Sequence, residues 1–299
     1  MNVAVIGLGK MGGGIAQRLC NAGHTVYGFD THAVTTHNTR IIIKKTLKEA
    51  VESVSVVWLM VPVGSTVDTV LNEIMPHLAP HTIIVDGGNS NYLDSQKRAQ
   101  KAIDYELYYL DCGTSGGVKG IEHGFCLMIG GNQKAYEKIQ SLCEAIAAPN
   151  GYGYIGSSGA GHYVKMIHNG IEYGLLQAYA EGFHLIKEGS FKDSHLDLAT
   201  ITGIWQHGSV IRSWLLDMAH DIFKHDQQLD TVSGEVAEGG TGAWTAEEAK
   251  KSAIPAPIIQ ASVQERARSR ETGGNYATKV IALLRNAFGG HAVNKKGQQ

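Results

Sequence analysis

The chain has 299 residues, 43% of them hydrophobic and 18% charged, enough to bury a sizeable core and too apolar for a solvated tail. Its 26 Lys and Arg against 28 Asp and Glu leave a formal charge of −2, which excludes the basic footprint of a nonspecific nucleic-acid binder. The longest apolar stretch, Val54 to Val63, is broken by Ser55 and Pro62 and is about half a bilayer span, so no membrane partner is expected.

Taken in chain order, Val3 to Ile6 reads as a strand and runs directly into Gly7-Leu8-Gly9-Lys10-Met11-Gly12, followed by a helical stretch from Gly13 to Asn21. A G-x-G-x-x-G between strand and helix is a dinucleotide fingerprint: Gly7 for the tight turn, Gly9 for approach to a pyrophosphate, Gly12 for helix–strand packing. Thr25 to Phe29 is a second strand, and Asp30 at its end places a carboxylate where it accepts from both ribose hydroxyls. Its charge repels a 2′-phosphate, and no Arg follows at Thr31 or His32, so NAD is favoured over NADP. Further apolar runs are Val54 to Met60, with Val61 at its end facing the cofactor, then Thr82 to Val85, Leu107 to Leu110 and Cys126 to Ile129.

Strands alternating with helical segments predict a parallel sheet covered on both faces. Beyond Gly159, apolar residues recur at helical spacing over Tyr163 to Ile186, Ile211 to Phe223, Ile258 to Ala267 and Tyr276 to Leu284. The expected fold is therefore α/β then all-α: a Rossmann-type doubly wound domain over residues 1–158 and a helical substrate-binding and oligomerisation domain over 159–299. The boundary is expected in the turn-rich stretch from Gly151 to Gly161.

Lys165, Asn169 and Glu172 lie at i, i+4 and i+7 and share one helix face. An exposed ion-paired face would carry the same residue types. The poor helix formers Gly159, Gly161, Gly170 and Gly174 around them instead suggest close approach to a ligand or another backbone. Thr114-Ser115-Gly116-Gly117, following a strand, leaves backbone N–H groups free to cradle a carboxylate.

The string from Gly159 to Tyr173 resembles the signature helix of the 6-phosphogluconate dehydrogenases. Asp86-Gly-Gly-Asn-Ser90, Gly113 to Gly120, Trp205 to Trp214, Gly240-Thr-Gly-Ala-Trp-Thr245 and Arg285-Asn-Ala-Phe-Gly-Gly-His291 match further blocks of that family in order, and the length resembles its short, bacterial-type form. The resemblance implies oxidative decarboxylation of 6-phospho-D-gluconate to ribulose 5-phosphate. Lys165 would be general base, with its amine pKa lowered by desolvation or cationic neighbours, and Glu172 general acid. Asn169 and Asn89 would orient hydroxyls, with Asn89 also beside the cofactor. Ser115, Gly116, Gly117 and His168 would contact the substrate, and Tyr173, Arg266, Arg285 and His291 would hold the phosphate. No metal is implied. In the family the last two are lent by a neighbouring subunit, so a homodimer or homotetramer is expected.

Ala243 stands where the family commonly has Lys or Arg, which removes one cation from the phosphate site; Lys119 is a candidate substitute. A rival reading is a 3-hydroxyacid dehydrogenase of the 3-hydroxyisobutyrate or tartronate semialdehyde reductase type, which needs no acid such as Glu172. Another is a noncatalytic NAD sensor, against which the intact Lys165, Asn169 and Glu172 argue. Cys20, Cys112, Cys126 and Cys143 lack C-x-x-C spacing and no leader-like segment follows Met1, so reduced thiols in the cytoplasm are expected. His24, His37 and His207 form no metal spacing and read as surface or packing residues.

Overall fold

Apolar runs without polar alternation become strands where both faces find cover. The computed structural model describes residues 1–32, 40–237 and 240–295, so His37 lies outside it. Contacts divide the chain into two units, Met1–Met166 and Ile167–Gln299.

The first unit runs β1 (Asn2–Ile6), α1 (Lys10–Asn21), β2 (Thr25–Phe29), β3 (Ile42–Ile43), α2 (Leu47–Val51), β4 (Val56–Leu59), α3 (Ser65–Ile74) and β5 (Ile83–Asp86). It continues through α4 (Tyr92–Ile103), β6 (Tyr108–Ser115), α5 (Gly120–His123), β7 (Phe125–Gly131), α6 (Gln133–Ile146) and β8 (Ala147–Gly156). The strands form one sheet in the order β3-β2-β1-β4-β5-β6-β7-β8. Val3, Val5, Trp58 and Val85 face a core closed by Ile15 of α1 and Ile139 of α6. Ala4, Ile6, Leu59 and Ile84 face the other core, closed by Val67 and Leu71 of α3. Because β1 pairs with both β2 and β4, the winding reverses there, and the carboxyl ends of these strands open the crevice in which such sheets bind ligands.

Two expectations need correction. The sheet is not wholly parallel, since β7 runs antiparallel to β6, from Leu110 opposite Gly131 to Ser115 opposite Cys126. The connection over residues 116–124 is too short for the crossover that a parallel neighbour requires. Nor is the stretch from Gly151 to Gly161 all turn, because its first half belongs to β8, which pairs parallel with β7 at the sheet's end. An edge strand tolerates Pro149 and its glycines, which is why composition hid it.

The second unit holds most of α7 (Ala160–Glu188), then α8 (Leu198–Trp205), α9 (Trp214–His225), α10 (Gly240–Lys251), α11 (Pro257–Thr272) and α12 (Tyr276–Gly289). Its core gathers Phe183, Leu198, Leu216, Phe223, Val280 and Leu284, with Phe183 edge-on to Phe223 at 4.9 Å. Helices α8 and α10 were not expected from periodicity. Asp197 starts the first by accepting from Ala199 and Thr200 N–H, and the second opens on Gly240 and Gly242, poor helix formers. Periodicity also placed a helix start at Ile211, whereas α9 begins after Ser213, whose hydroxyl accepts from Leu216 N–H. By contacts the division falls within α7, because the helix's first turns pack on the sheet, with Gly161 against the Met128 and Asp111 carbonyls.

Candidate active site

At the switch point, Gly7 takes φ +90°, a conformation L side chains rarely adopt. A Cβ at Gly12 would overlap the Gly7 carbonyl oxygen, whereas one at Gly9 would meet nothing within 4 Å. The loop thus packs tightly beneath and leaves open space where α1 begins, with the positive end of the helix dipole facing it. A cavity of about 960 Å³ spreads from there over Gly7, Gly9, Lys10, Met11, Asp30 and Val61. Asp30 accepts from Leu8 N–H at 2.7 Å and from His32 N–H at 2.9 Å. Partial burial pushes its carboxyl up, but those N–H bonds and the His32 ring outweigh it and hold the group below the ordinary range. Leu8 therefore serves through its backbone. The cavity also reaches Thr69 and Glu73 of α3, which the fingerprint did not indicate; the Gly64-Ser65-Thr66 turn after β4 was the available signal.

Asn89 joins this cavity to β6. It lines the cavity, sits at φ +59° and exchanges two hydrogen bonds with Thr114: Nδ2 donates to the carbonyl at 3.0 Å and Oδ1 accepts from the N–H at 2.8 Å. One N–H of its amide remains for a ligand. Next along β6, Gly113 leaves room for α7, since a Cβ there would collide with Lys165. Lys165, 5% exposed, is thereby set against the strand that continues into Ser115, Gly116 and Gly117. The last two glycines take φ +112° and +54°, which turns the backbone as an anion cradle requires.

Further along α7, His168 Nδ1 lies 3.0 Å from Asn169 Oδ1, and Asn169 Nδ2 donates to Thr241 Oγ1 at 2.7 Å. Gly170 and Gly242 let α10 close on α7, because a Cβ at the first would meet Thr245 and one at the second the Tyr173 ring. The Gly240-Thr-Gly block is thus a packing device that brings Thr241 to Asn169. Arg266 of α11 lies over the Tyr173 ring at 3.1 Å and is 3% exposed, with neither terminal nitrogen hydrogen-bonded. Burial lowers its pKa to about 10, with Arg285 adding to the effect and Tyr173 and Glu172 opposing it, so it stays charged at neutral pH. Burial likewise lowers Arg285, opposed by Tyr173 and Glu172.

Arg285 of α12 stands near Tyr173 and Glu172 of the same chain, because α12 belongs to this unit's own core. His291 is exposed and folds back beside Phe288, with ring centroids 6.3 Å apart. Lys119 is exposed in the first unit, on the turn after β6. His24 faces the amino terminus and His207 the Gly203 carbonyl, as packing residues do.

A doubly wound sheet with an open glycine loop and an aspartate at the end of β2 lining the cavity, and a long helix carrying a buried lysine, define the class of dinucleotide-dependent dehydrogenases. Residues 2–156 match the NAD binding domain of 6-phosphogluconate dehydrogenase, and residues 161–298 match the 6-phosphogluconate dehydrogenase C-terminal domain. The chain belongs to the 6-phosphogluconate dehydrogenase family. It is 41% identical over 304 residues to the NAD(+)-dependent, decarboxylating 6-phosphogluconate dehydrogenase of Haloferax volcanii, covering 99% of both chains. It is 35% identical to the decarboxylating enzyme of Klebsiella pneumoniae, over 87% of this chain and 60% of that longer one. Among solved structures, the 6-phosphogluconate dehydrogenase of Plasmodium falciparum superposes with a TM-score of 0.81 at 24% identity, over 95% of this chain and 70% of that one. The 3-hydroxyisobutyrate dehydrogenase of Mycobacterium tuberculosis shares the fold, with a TM-score of 0.74 at 21% identity over 95% and 99%.

Proposed function

We propose that this chain oxidatively decarboxylates 6-phospho-D-gluconate to D-ribulose 5-phosphate and carbon dioxide while reducing NAD, with Lys165 as general base and Glu172 as general acid. The observation that carries the reading is Arg266. A buried guanidinium whose terminal nitrogens find no hydrogen-bond partner among the described residues beyond its contact with the Tyr173 side chain has donors left for an anion, and it lies against Tyr173 and beside Glu172, both on the helix that bears Lys165. A sugar phosphate meets that need, with Arg285 as the second cation and a tail histidine, His291, lent by a neighbouring copy of the chain.

The glycine loop and Asp30 fit the dinucleotide, and Asp30 opposes a 2′-phosphate, which favours NAD over NADP. Bound NAD supplies the hydride acceptor. Lys165, neutral before the step, takes the C3 hydroxyl proton as hydride departs from C3. In the resulting 3-keto acid the C1–C2 bond breaks toward the ketone, whose oxygen gathers charge that protonated Lys165 stabilises. Glu172 then donates its proton to the carbon that lost carbon dioxide. Ser115, Gly116 and Gly117 hold the carboxylate before it leaves, while His168, Asn169 and Asn89 orient hydroxyls.

The proposal extends to a homodimer or homotetramer in which tail residues such as His291 serve a neighbouring site. Ile171, Leu175 and Leu185 on α7 and Ile258 on α11 leave apolar surface exposed, which supports self-association. A cytoplasmic location is supported by four unpaired cysteines, and no helix among the described residues is long and apolar enough to cross a membrane. The test is stoichiometry: carbon dioxide and NADH measured together from 6-phosphogluconate should appear in equal amounts. NADH without carbon dioxide would hand the chain to the 3-hydroxyacid dehydrogenase reading. Crossing 6-phosphogluconate and gluconate with NAD and NADP in the same assay fixes the preferred pair.

A further inference from the structure

The helix that bears Lys165 begins on glycines, which do little by themselves to hold it in place. Gly159 sits at φ +92°, and Gly161 adds no side chain to grip the sheet. What holds this first turn comes from elsewhere in the first unit. Asp111, wholly buried on β6, accepts from Gly159 N–H at 2.6 Å with one carboxylate oxygen and from His162 N–H at 2.9 Å with the other. A strand carboxylate thus does what a side-chain cap ordinarily does, satisfying two otherwise orphaned N–H groups and facing the positive end of the helix dipole. Two residues further along the same strand, on the same face, Gly113 admits Lys165. Cap and lysine therefore register against one rigid strand.

A second hold comes from α4. His162 is 1% exposed, and its Nδ1 lies 2.7 Å from Ser95 Oγ. Its Nε2 is buried with no hydrogen-bond partner among the described residues, so the Ser95 contact fixes the ring. One residue on, Tyr163 meets Tyr92 edge-on at 5.2 Å. Because α4 follows the loop that carries Asn89, the same contacts tie the start of α7 to the wall of the cofactor cavity.

We propose that Asp111 and Ser95 are positioning residues that clamp the first turn of α7 and so set Lys165 against the substrate. The inference rests on the reading of Lys165 as general base. A purely structural clamp would affect stability and every kinetic constant alike, whereas a positioning clamp acts on the chemical step. Asp111→Asn turns an amide N–H toward one of the two backbone N–H groups and loses that bond; Ser95→Ala frees the imidazole.

The experiment measures kcat, the KM for NAD and the thermal midpoint of wild type, Asp111→Asn and Ser95→Ala with 6-phosphogluconate. The expected kcat falls about ten- to hundredfold for Asp111→Asn, as a misplacement of an ångström or less costs, and about three- to tenfold for Ser95→Ala, with the KM for NAD within about twofold of wild type in both. Ser95→Ala alone decides the matter if Asp111→Asn does not fold. A folded variant with wild-type kcat overturns the clamp, as does a KM for NAD that rises in step with the loss of kcat. An inactive wild type would instead overturn the reading of Lys165 and the clamp with it, so the two failures are told apart by the wild-type lane.

Discussion

Buried charge is handled in opposite ways in the two units. In the first, Asp86 at the end of β5 is fully buried and surrounded: Tyr109 Oη and Ser90 Oγ donate to it at 2.7 Å, Gly88 N–H at 3.0 Å and Arg98 at 3.5 Å. Arg98 in turn forks onto Asp68 at 2.7 and 3.1 Å and reaches the Gly64 carbonyl at 3.0 Å. Burial alone would lower its pKa, but Asp68, Tyr109 and Asp86 together raise it, and burial with Asp86 keeps the Tyr109 phenol protonated. In the second unit, Arg266 is buried as deeply as Arg98 but rests on the Tyr173 ring, its terminal nitrogens without a carboxylate or carbonyl hydrogen-bonded to them among the described residues. A charge satisfied within the chain is scaffolding, here for the loop that bears Asn89. A charge left unsatisfied is held in readiness for a ligand, at a cost in stability that the ligand later offsets.

The contrast can be broken, and the largest effect should come from the group that does the chemistry. Lys165→Met is expected to lower NADH production by about three orders of magnitude while equilibrium NAD binding, followed by fluorescence, stays unchanged; retained turnover would remove Lys165 from the mechanism. Arg98→Met should cost about 3–5 kcal/mol in urea unfolding, because it strands buried Asp86 without its cation. A midpoint equal to wild type would mean that the first unit's pairing is not scaffolding.

The parallel change in the second unit should have the opposite sign. Arg266→Met is expected to leave the thermal midpoint of the ligand-free chain unchanged or raised, since it removes a buried charge that Tyr173 and Glu172 offset only in part. It should raise the KM for 6-phosphogluconate about ten- to hundredfold, the worth of one charge-assisted contact at about 1.5–3 kcal/mol. A destabilised ligand-free chain would mean that Arg266 already has its partner. The smallest effect is expected from Ala243→Lys, which should lower that KM several-fold without altering kcat, by returning a cation beside Gly242 and Tyr173 at roughly 1 kcal/mol. Unchanged KM would show that Arg266 and Arg285 already saturate the phosphate.

Much of the site was legible as residues and little of it as partnerships. The glycine loop, Asp30 and the face holding Lys165, Asn169 and Glu172 could be read from spacing. Less visible was that Asn89 devotes its oxygen and one N–H to Thr114, since that bond joins a loop to a strand 25 residues away. Asp86 and Asp111 are register neighbours across β5 and β6, a juxtaposition that no local spacing shows. Only the packing of α12 places Arg285 near Tyr173. Strand β8 escaped because an edge strand need not look apolar.

By itself the sequence determined whatever depends on neighbours along the chain: where the backbone turns, which glycine admits a helix start, which residues share a helical face. Backbone sterics and the helical period act over a few residues, so these features survive any arrangement of the rest. Tertiary structure alone decided which charges meet a partner, because strand order and helix packing bring together groups far apart in the chain, and the low dielectric of the interior makes each such meeting, or its absence, energetically decisive.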